Sequence, residues 1–523
     1  MAHPQDATAP RLLPTSRESL LPMRGRSAGW RMNSVHLVGL CVLFTLALRV
    51  PFLTAPLLPD EAGLLIIADD WREGRFLYGD YFVGRGIVLV LVFKLADVLG
   101  GPVALRLLAC VVAAGLVVSA GWAGHRLHGR AGAAGSALVA AAYASMAAYS
   151  ANVMNERLVA AALVVTSCAC TIAAVTGPAQ SARRQQGLAV LAGVTASCAV
   201  QVVQSYVQGA VFAAVLLFVS WRTRVLPGAD AARVAAAGVL GVLLPVAAVA
   251  AAVLTTWQTA AQYWFQMFGY RFSAVGVLGG STDRPFERLS QLAVVTVWSG
   301  MLLLAICALL GYRQLRDRRD LAPVWWAMIA MIAVACVGIA LGGDYYSDYL
   351  LELVPALVLL TGLVAPGRAW SGFGMRAGAV LAAVSAGVVM CIALQRMVGY
   401  TTTAESFGQW LSAGAHDEDT AVILWGTADL LYESGMGSPY PYLWSLLTRT
   451  LDPDLDLLLA TLRGPDAPTY VVSLYLNAWG LDDSGELTAL LADRYVYVGA
   501  PCGLDVYLLR TERRELPAAE ACA

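Results

Sequence analysis

Long apolar runs separated by short polar loops fill the chain from residue 36 to 395. They lie at about 36–53, 102–123, 133–151, 158–176, 187–202, 207–221, 233–254, 291–311, 323–341, 350–365 and 377–395. A helix needs roughly 20 apolar residues to cross the hydrocarbon core, so the pattern predicts eleven membrane helices. The fifth and sixth are short, with their division near Gln201 to Gln208. The run Gly86 to Gly100 is shorter still and carries Lys94 and Asp97, which predicts an interfacial helix inside a first outer loop of about 54–101. Beyond 396 the pattern changes. Ala404 to Ala413 reads as helix, and Thr420 to Trp425, Tyr470 to Leu474, Tyr495 to Val498 and Val506 to Leu509 read as strands. The predicted architecture is mainly α and polytopic, with a polar arm over 1–34, a membrane domain over 35–396 and a small α/β domain over 397–523.

Charge gives the orientation. An N-terminus on the inside puts Arg126/Arg130, Arg183/Arg184, Arg222/Arg224/Arg233, Arg313/Arg316/Arg318/Arg319 and Arg368/Arg376 on the inside as well. With the arm, these segments hold 18 basic and 5 acidic residues, against 11 and 13 in the rest of residues 1–396, as the positive-inside rule requires. An odd number of crossings then leaves residues 397–523, with 6 basic and 18 acidic residues, outside. A plasma-membrane location follows, with the N-terminus cytoplasmic.

Composition removes several classes of function. Hydrophobic residues make up 58% and charged residues 14%, well below the roughly 25% charged of a soluble domain. Lys94 is the only lysine and no GxxxxGK[ST] surrounds it, so ATP-driven pumping by this chain is not expected. The stretches 133–151, 187–221, 323–343 and 377–395 carry no charge, which argues against an ion-coupled transporter. Nothing points to nucleic acid. Arginine-rich, lysine-poor composition with abundant Ala, Gly and Val suggests a high-GC bacterial source.

Charge instead collects at the outer rim. Asp60-Glu61 follows Pro51, Pro56 and Pro59, which should end the first helix. A carboxylate partly screened from water there can accept a hydroxyl proton; the competing reading is a solvated loop acid. Arg85, between Gly84 and Gly86, suits a phosphate or snorkelling to lipid. Glu156 either serves the site or pairs with Arg157 next to it. Tyr263, Trp264, Tyr270 and Arg271 suit a sugar or an interfacial aromatic belt. His125 and His128 read as a solvated face, and Cys502 with Cys522 as a possible disulfide.

The segments LPDEAG (Leu58 to Gly63), REGRFLYGDYFVGRG (Arg72 to Gly86) and ALRLLA (Ala104 to Ala109), in that order, resemble the first outer loop of bacterial GT-C glycosyltransferases: ArnT-like, protein-mannosyltransferase-like and RgtA/B/C/D-like enzymes. GGDYYSDYLLELVPALVLL (Gly342 to Leu360) and TAVILWGTADLLYESG (Thr420 to Gly435) resemble two later segments of the same enzymes. The resemblance implies transfer of a monosaccharide from a polyprenyl-phosphate donor to a hydroxyl of an envelope glycan, lipid or protein, with inversion. It makes Asp60 the general base, Glu61 its neighbour, Arg85 the phosphate contact and Asp80 a second acid, and it adds Asp344 and Asp348 to a substrate site that includes Glu156 and Arg271. Two departures bear on the donor headgroup and on any divalent metal: Arg85-Gly86 replaces Lys-Pro, and Asp344 and Asp348 stand where Arg and His are common. A flippase for lipid-linked sugars and a non-catalytic assembly subunit are the competing classes.

Overall fold

The computed structural model describes residues 33–522 except 73, 177–180, 256–258, 282–284, 316–317, 319–320, 343–344, 368, 398–401 and 520–521. Asn33 caps the first helix, Ser34–Arg49, by accepting the His36 N–H, and a 3-10 turn at Val50–Phe52 carries Pro51 and ends it. The next long helix, Pro102–Ala144, breaks at His128 and Gly129, which has a left-handed φ of 56°. Its two arms run back on each other, because a Cβ on Gly124 would lie 2.3 Å from the Gly132 carbonyl oxygen. Residues eight apart on a continuous helix stand about 12 Å apart. The reversal falls between the predicted second and third runs.

Glu156–Thr176, Ala182–Val202, Gln208–Arg222, Gly228–Thr255, Pro285–Trp298 with Met301–Leu310, Ala322–Gly342, Val354–Val364 and Trp370–Met397 follow. Each predicted apolar run is thus helical over most of its length. Among the described residues six helices are long and apolar enough to cross a membrane. A seventh is added if Glu287–Trp298 and Met301–Leu310, bent by 67°, form one span. Leu43, Val111, Leu243, Val337 and Val384 are exposed on them, an arrangement suited to lipid rather than water. Inside, small residues permit close crossings, and Ser136 Oγ donates to the Val358 carbonyl at 3.0 Å. The chain is a multi-pass membrane protein.

The run after Gly86 is a 12-residue helix, Ile87–Val98, about 18 Å long and too short to span. Lys94 pairs with Asp97 at 2.9 Å. At the C-terminal end, β1 (Ala421–Ile423), β2 (Tyr470–Ser473), β3 (Tyr495–Gly499) and β4 (Asp505–Leu509) form one sheet in the order β1-β2-β4-β3. All four were predicted. β1 and β2 are parallel, with Ile423 opposite Val472, and the other pairings are antiparallel. Helices Ala428–Ser434, Ser445–Leu451 and Asp456–Arg463 make the crossover, as a parallel pair demands. Cys502 and Cys522 are disulfide-bonded. The layer is fastened to the first loop where Ser438 N–H donates to Tyr81 Oη at 2.8 Å and Phe82 N–H to the Pro441 carbonyl at 3.0 Å.

Candidate active site

Pro59 opens the helix Pro59–Asp69 and places Asp60 and Glu61 in its first turn, where the helix dipole favours negative charge. The two carboxylates then diverge. Glu61 is buried: it accepts from Arg106 Nη1, from Met154 N–H at 2.9 Å and from Leu58 N–H at 3.1 Å. It ties the start of its own helix to the helix bearing Arg106 and to the turn before Glu156. Asp60 faces a cleft of about 440 Å³ and has no ion pair among the described residues. Burial pushes its carboxyl above the ordinary aspartate range; Arg85 pulls it back, Glu156 and Asp348 push it further, and the Trp444 indole pulls against them. That indole N–H lies near the carboxylate without meeting strict hydrogen-bond geometry.

Across the cleft, Arg85 is held on glycines that allow no side chain. Gly84 has φ +63°, and a Cβ there would lie 2.7 Å from the Tyr270 ring; one on Gly86 would lie 2.1 Å from the Gln201 carbonyl oxygen. Tyr78 Oη donates to the Arg85 carbonyl at 3.1 Å. Arg85 Nε donates to Glu156 at 2.6 Å, and no protein acceptor among the described residues takes its Nη groups. Arg271 Nη2 donates to the Gly84 carbonyl at 3.3 Å, and its Nε–H has no partner among the described residues. Two guanidiniums therefore converge on one loop, with donors available to an anion.

The local Glu156-Arg157 pair does not form. Arg157 turns to Asp348, at 3.2 Å, and to Glu352, at 2.6 Å, and lies 3.9 Å over the Tyr349 ring. Ser205 Oγ also donates to Glu352, at 2.8 Å. Asp60, Glu61, Arg85, Glu156, Arg271 and Asp348 thus all border the cleft. Asp80 does not: it pairs with Arg72 at 2.9 Å on the exposed side of its loop. Asp344 lies outside the described residues. Arg157 and Trp444 also border the cleft; for Trp444 the sequence offers only the aromatic-rich SPYPYLW stretch that leads to it.

Among the described residues no group of three or more His, Cys, Asp or Glu is placed to hold a metal. Among the described residues Glu156 and Asp348 are each paired with an arginine.

The same arrangement, a polytopic helical bundle with a small sheet packed on its first loop, recurs in solved structures. ArnT from Cupriavidus metallidurans bound to undecaprenyl phosphate superposes with a TM-score of 0.62 at 16% identity, covering 90% of this chain and 98% of ArnT. The oligosaccharyltransferase of Archaeoglobus fulgidus with Zn and sulfate superposes with a TM-score of 0.55 at 13% identity, covering 90% of this chain and 73% of that one. The archaeal enzyme AglB in complex with an inhibitory peptide and a dolichol-phosphate gives 0.53 at 12%, covering 92% and 74%. No protein-family model matches the chain, and no curated protein matches it by sequence. The chain has the GT-C fold.

Proposed function

We propose that this chain is a membrane glycosyltransferase that moves a monosaccharide from a polyprenyl phosphate to a hydroxyl on the outer face of the membrane. The observation that carries the reading is the presence in one cleft of Asp60, which has no ion pair among the described residues, and two arginines, Arg85 and Arg271. Asp60 takes the acceptor hydroxyl proton as the oxygen attacks the anomeric carbon. The bond from that carbon to the phosphate oxygen breaks, and the departing phosphate is neutralised by Arg85 and Arg271. Attack opposite the leaving group inverts the anomeric centre. Glu61 is a positioning residue that fixes the helix start, and Glu156 and Asp348 orient Arg85 and Arg157.

The donor's tail has a place beside the site. A groove of about 510 Å³, lined by Val246, Val249, Val253, Met267, Phe268 and Gln201, lies near the cleft: Gly86, next to the cleft residue Arg85, packs on Gln201 and Met267. The Cupriavidus protein was captured with undecaprenyl phosphate, which supports the same class of carrier here. Eleven crossings, a cytoplasmic arm over 1–34 and an extracytoplasmic 397–523 complete the reading, and the Cys502–Cys522 disulfide suits an oxidising exterior. Titration of nanodisc-embedded protein with undecaprenyl phosphate tests it. Binding should weaken about tenfold or more in Arg85→Ala; undiminished binding in Arg85→Ala and Arg271→Ala would overturn the assignment.

A further inference from the structure

The parallel strands β1 and β2 end side by side, and the loops leaving their carboxyl ends carry exposed aromatic rings. Tyr475 is 69% exposed and Trp479 53% exposed. Their backbone is held in place. Trp425 and Trp479 adopt left-handed φ values of 68° and 55°, a conformation that bulky residues avoid unless the surroundings enforce it. Trp425 Nε1 donates to the Tyr475 carbonyl at 2.7 Å, and the Arg449 guanidinium lies 5.1 Å over the Trp479 ring. Polar groups share the loop, with Asn477 Nδ2 donating to Asp483 at 3.1 Å.

This surface adjoins the wall of the cleft. Gly426, next to Trp425, packs on the backbone of Trp444 and Ser445, which line the cleft. Helix Ser445–Leu451 borders the cleft with its first turn and carries Arg449, about 6 Å further along. Exposed rings in a loop that also carries amide and carboxylate groups match a sugar, which offers a C–H face to stack and hydroxyls to bond. A membrane is the poorer match, because residues 397–523 hold 18 acidic against 6 basic residues and would be repelled by anionic headgroups. The same charge disfavours an anionic glycan.

Resting on the glycosyltransferase reading, we propose that Tyr475 and Trp479 form a stacking platform for a neutral carbohydrate acceptor, delivering one of its hydroxyls past Trp444 to Asp60. The acceptor class is therefore a glycan.

The test uses the full chain in zwitterionic nanodiscs, with hexaoses of glucose, mannose, galactose and arabinose as probes in saturation-transfer NMR and undecaprenyl phosphate in a parallel titration. At least one hexaose should bind wild type. The Tyr475→Ala/Trp479→Ala double variant should bind it about tenfold or more weakly while keeping full affinity for undecaprenyl phosphate. Failure of every hexaose to bind, or undiminished binding by the double variant, overturns the platform and leaves the transfer reading standing. A loss of quenching by brominated lipid tails in Trp479→Phe relative to wild type would make the patch a membrane contact and also overturn it. Absence of undecaprenyl-phosphate binding by wild type overturns the transfer reading and the platform with it.

Discussion

At the residue scale, the adjacent acids of the Asp60-Glu61 pair have opposite fates, and mutation should separate them. Asp60→Asn keeps the shape of the site and removes the base, so activity should fall about 10²- to 10⁴-fold at normal protein abundance. Glu61→Gln breaks a buried pair with Arg106, at a cost of about 3–5 kcal/mol, and should reduce the amount of folded protein in detergent melting curves. Because burial and nearby acids raise the Asp60 carboxyl and a base must be ionised, activity should fall as pH drops through a value above the ordinary aspartate pKa of about 3.9. Asp348→Asn removes one of the raising charges and should move that limb of the pH–rate profile to lower pH. That Asp60, Arg85, Glu156, Arg271 and Asp348 gather at one cleft was foreshadowed in the sequence, because charge is costly in hydrocarbon and local motifs mark where it collects instead. The pairing of Arg157 was not: neighbours in a helix point about 100° apart, so Glu156 and Arg157 find different partners. Asp80 followed a nearby arginine away from the cleft, and Trp444 arrives only through docking of the distant C-terminal layer.

At the element scale, the Gly84-Arg85-Gly86 loop is the least tolerant part of the site. In Gly86→Ala the added methyl meets the Gln201 carbonyl oxygen, and overpacking of this kind costs about 1–3 kcal/mol. The variant should bind undecaprenyl phosphate more weakly while its far-UV spectrum is retained. In the sheet layer, burial pushes the Asp419 carboxyl up, but hydrogen bonds from Arg514, the His416 N–H and Thr469 outweigh it and hold it below the ordinary range. A carboxyl depressed in the folded state stabilises above its unfolded pKa of about 3.9 and loses that contribution as pH falls through the lower value. Melting temperatures below pH 4 should therefore fall more steeply for wild type than for Asp419→Asn. The strands were legible as apolar runs between turn residues, whereas the reversal at His128-Gly129 appeared in sequence only as a basic gap between two runs.

At the scale of the whole molecule, the arginine bookkeeping predicts sidedness. An epitope in the loop after Arg222 should be labelled only after permeabilisation, and one at the C-terminus in intact cells; the reverse pattern would invert the assignment. The overall bundle was legible because lipid imposes length and apolarity on every spanning helix, while the bend at Ser299 and Gly300 depends on packing that no periodicity encodes. The central claim, that this cleft transfers a sugar from a lipid phosphate, meets its most direct test in mass spectrometry of polyprenyl-phosphate sugars and envelope glycans. The comparison is a deletion strain carrying wild type, Asp60→Asn or no copy. The Asp60→Asn and deletion strains should accumulate the same polyprenyl-phosphate sugar and lack the same glycan residue, with wild type restoring both. Full restoration by Asp60→Asn, or no accumulated donor in either strain, would contradict the account.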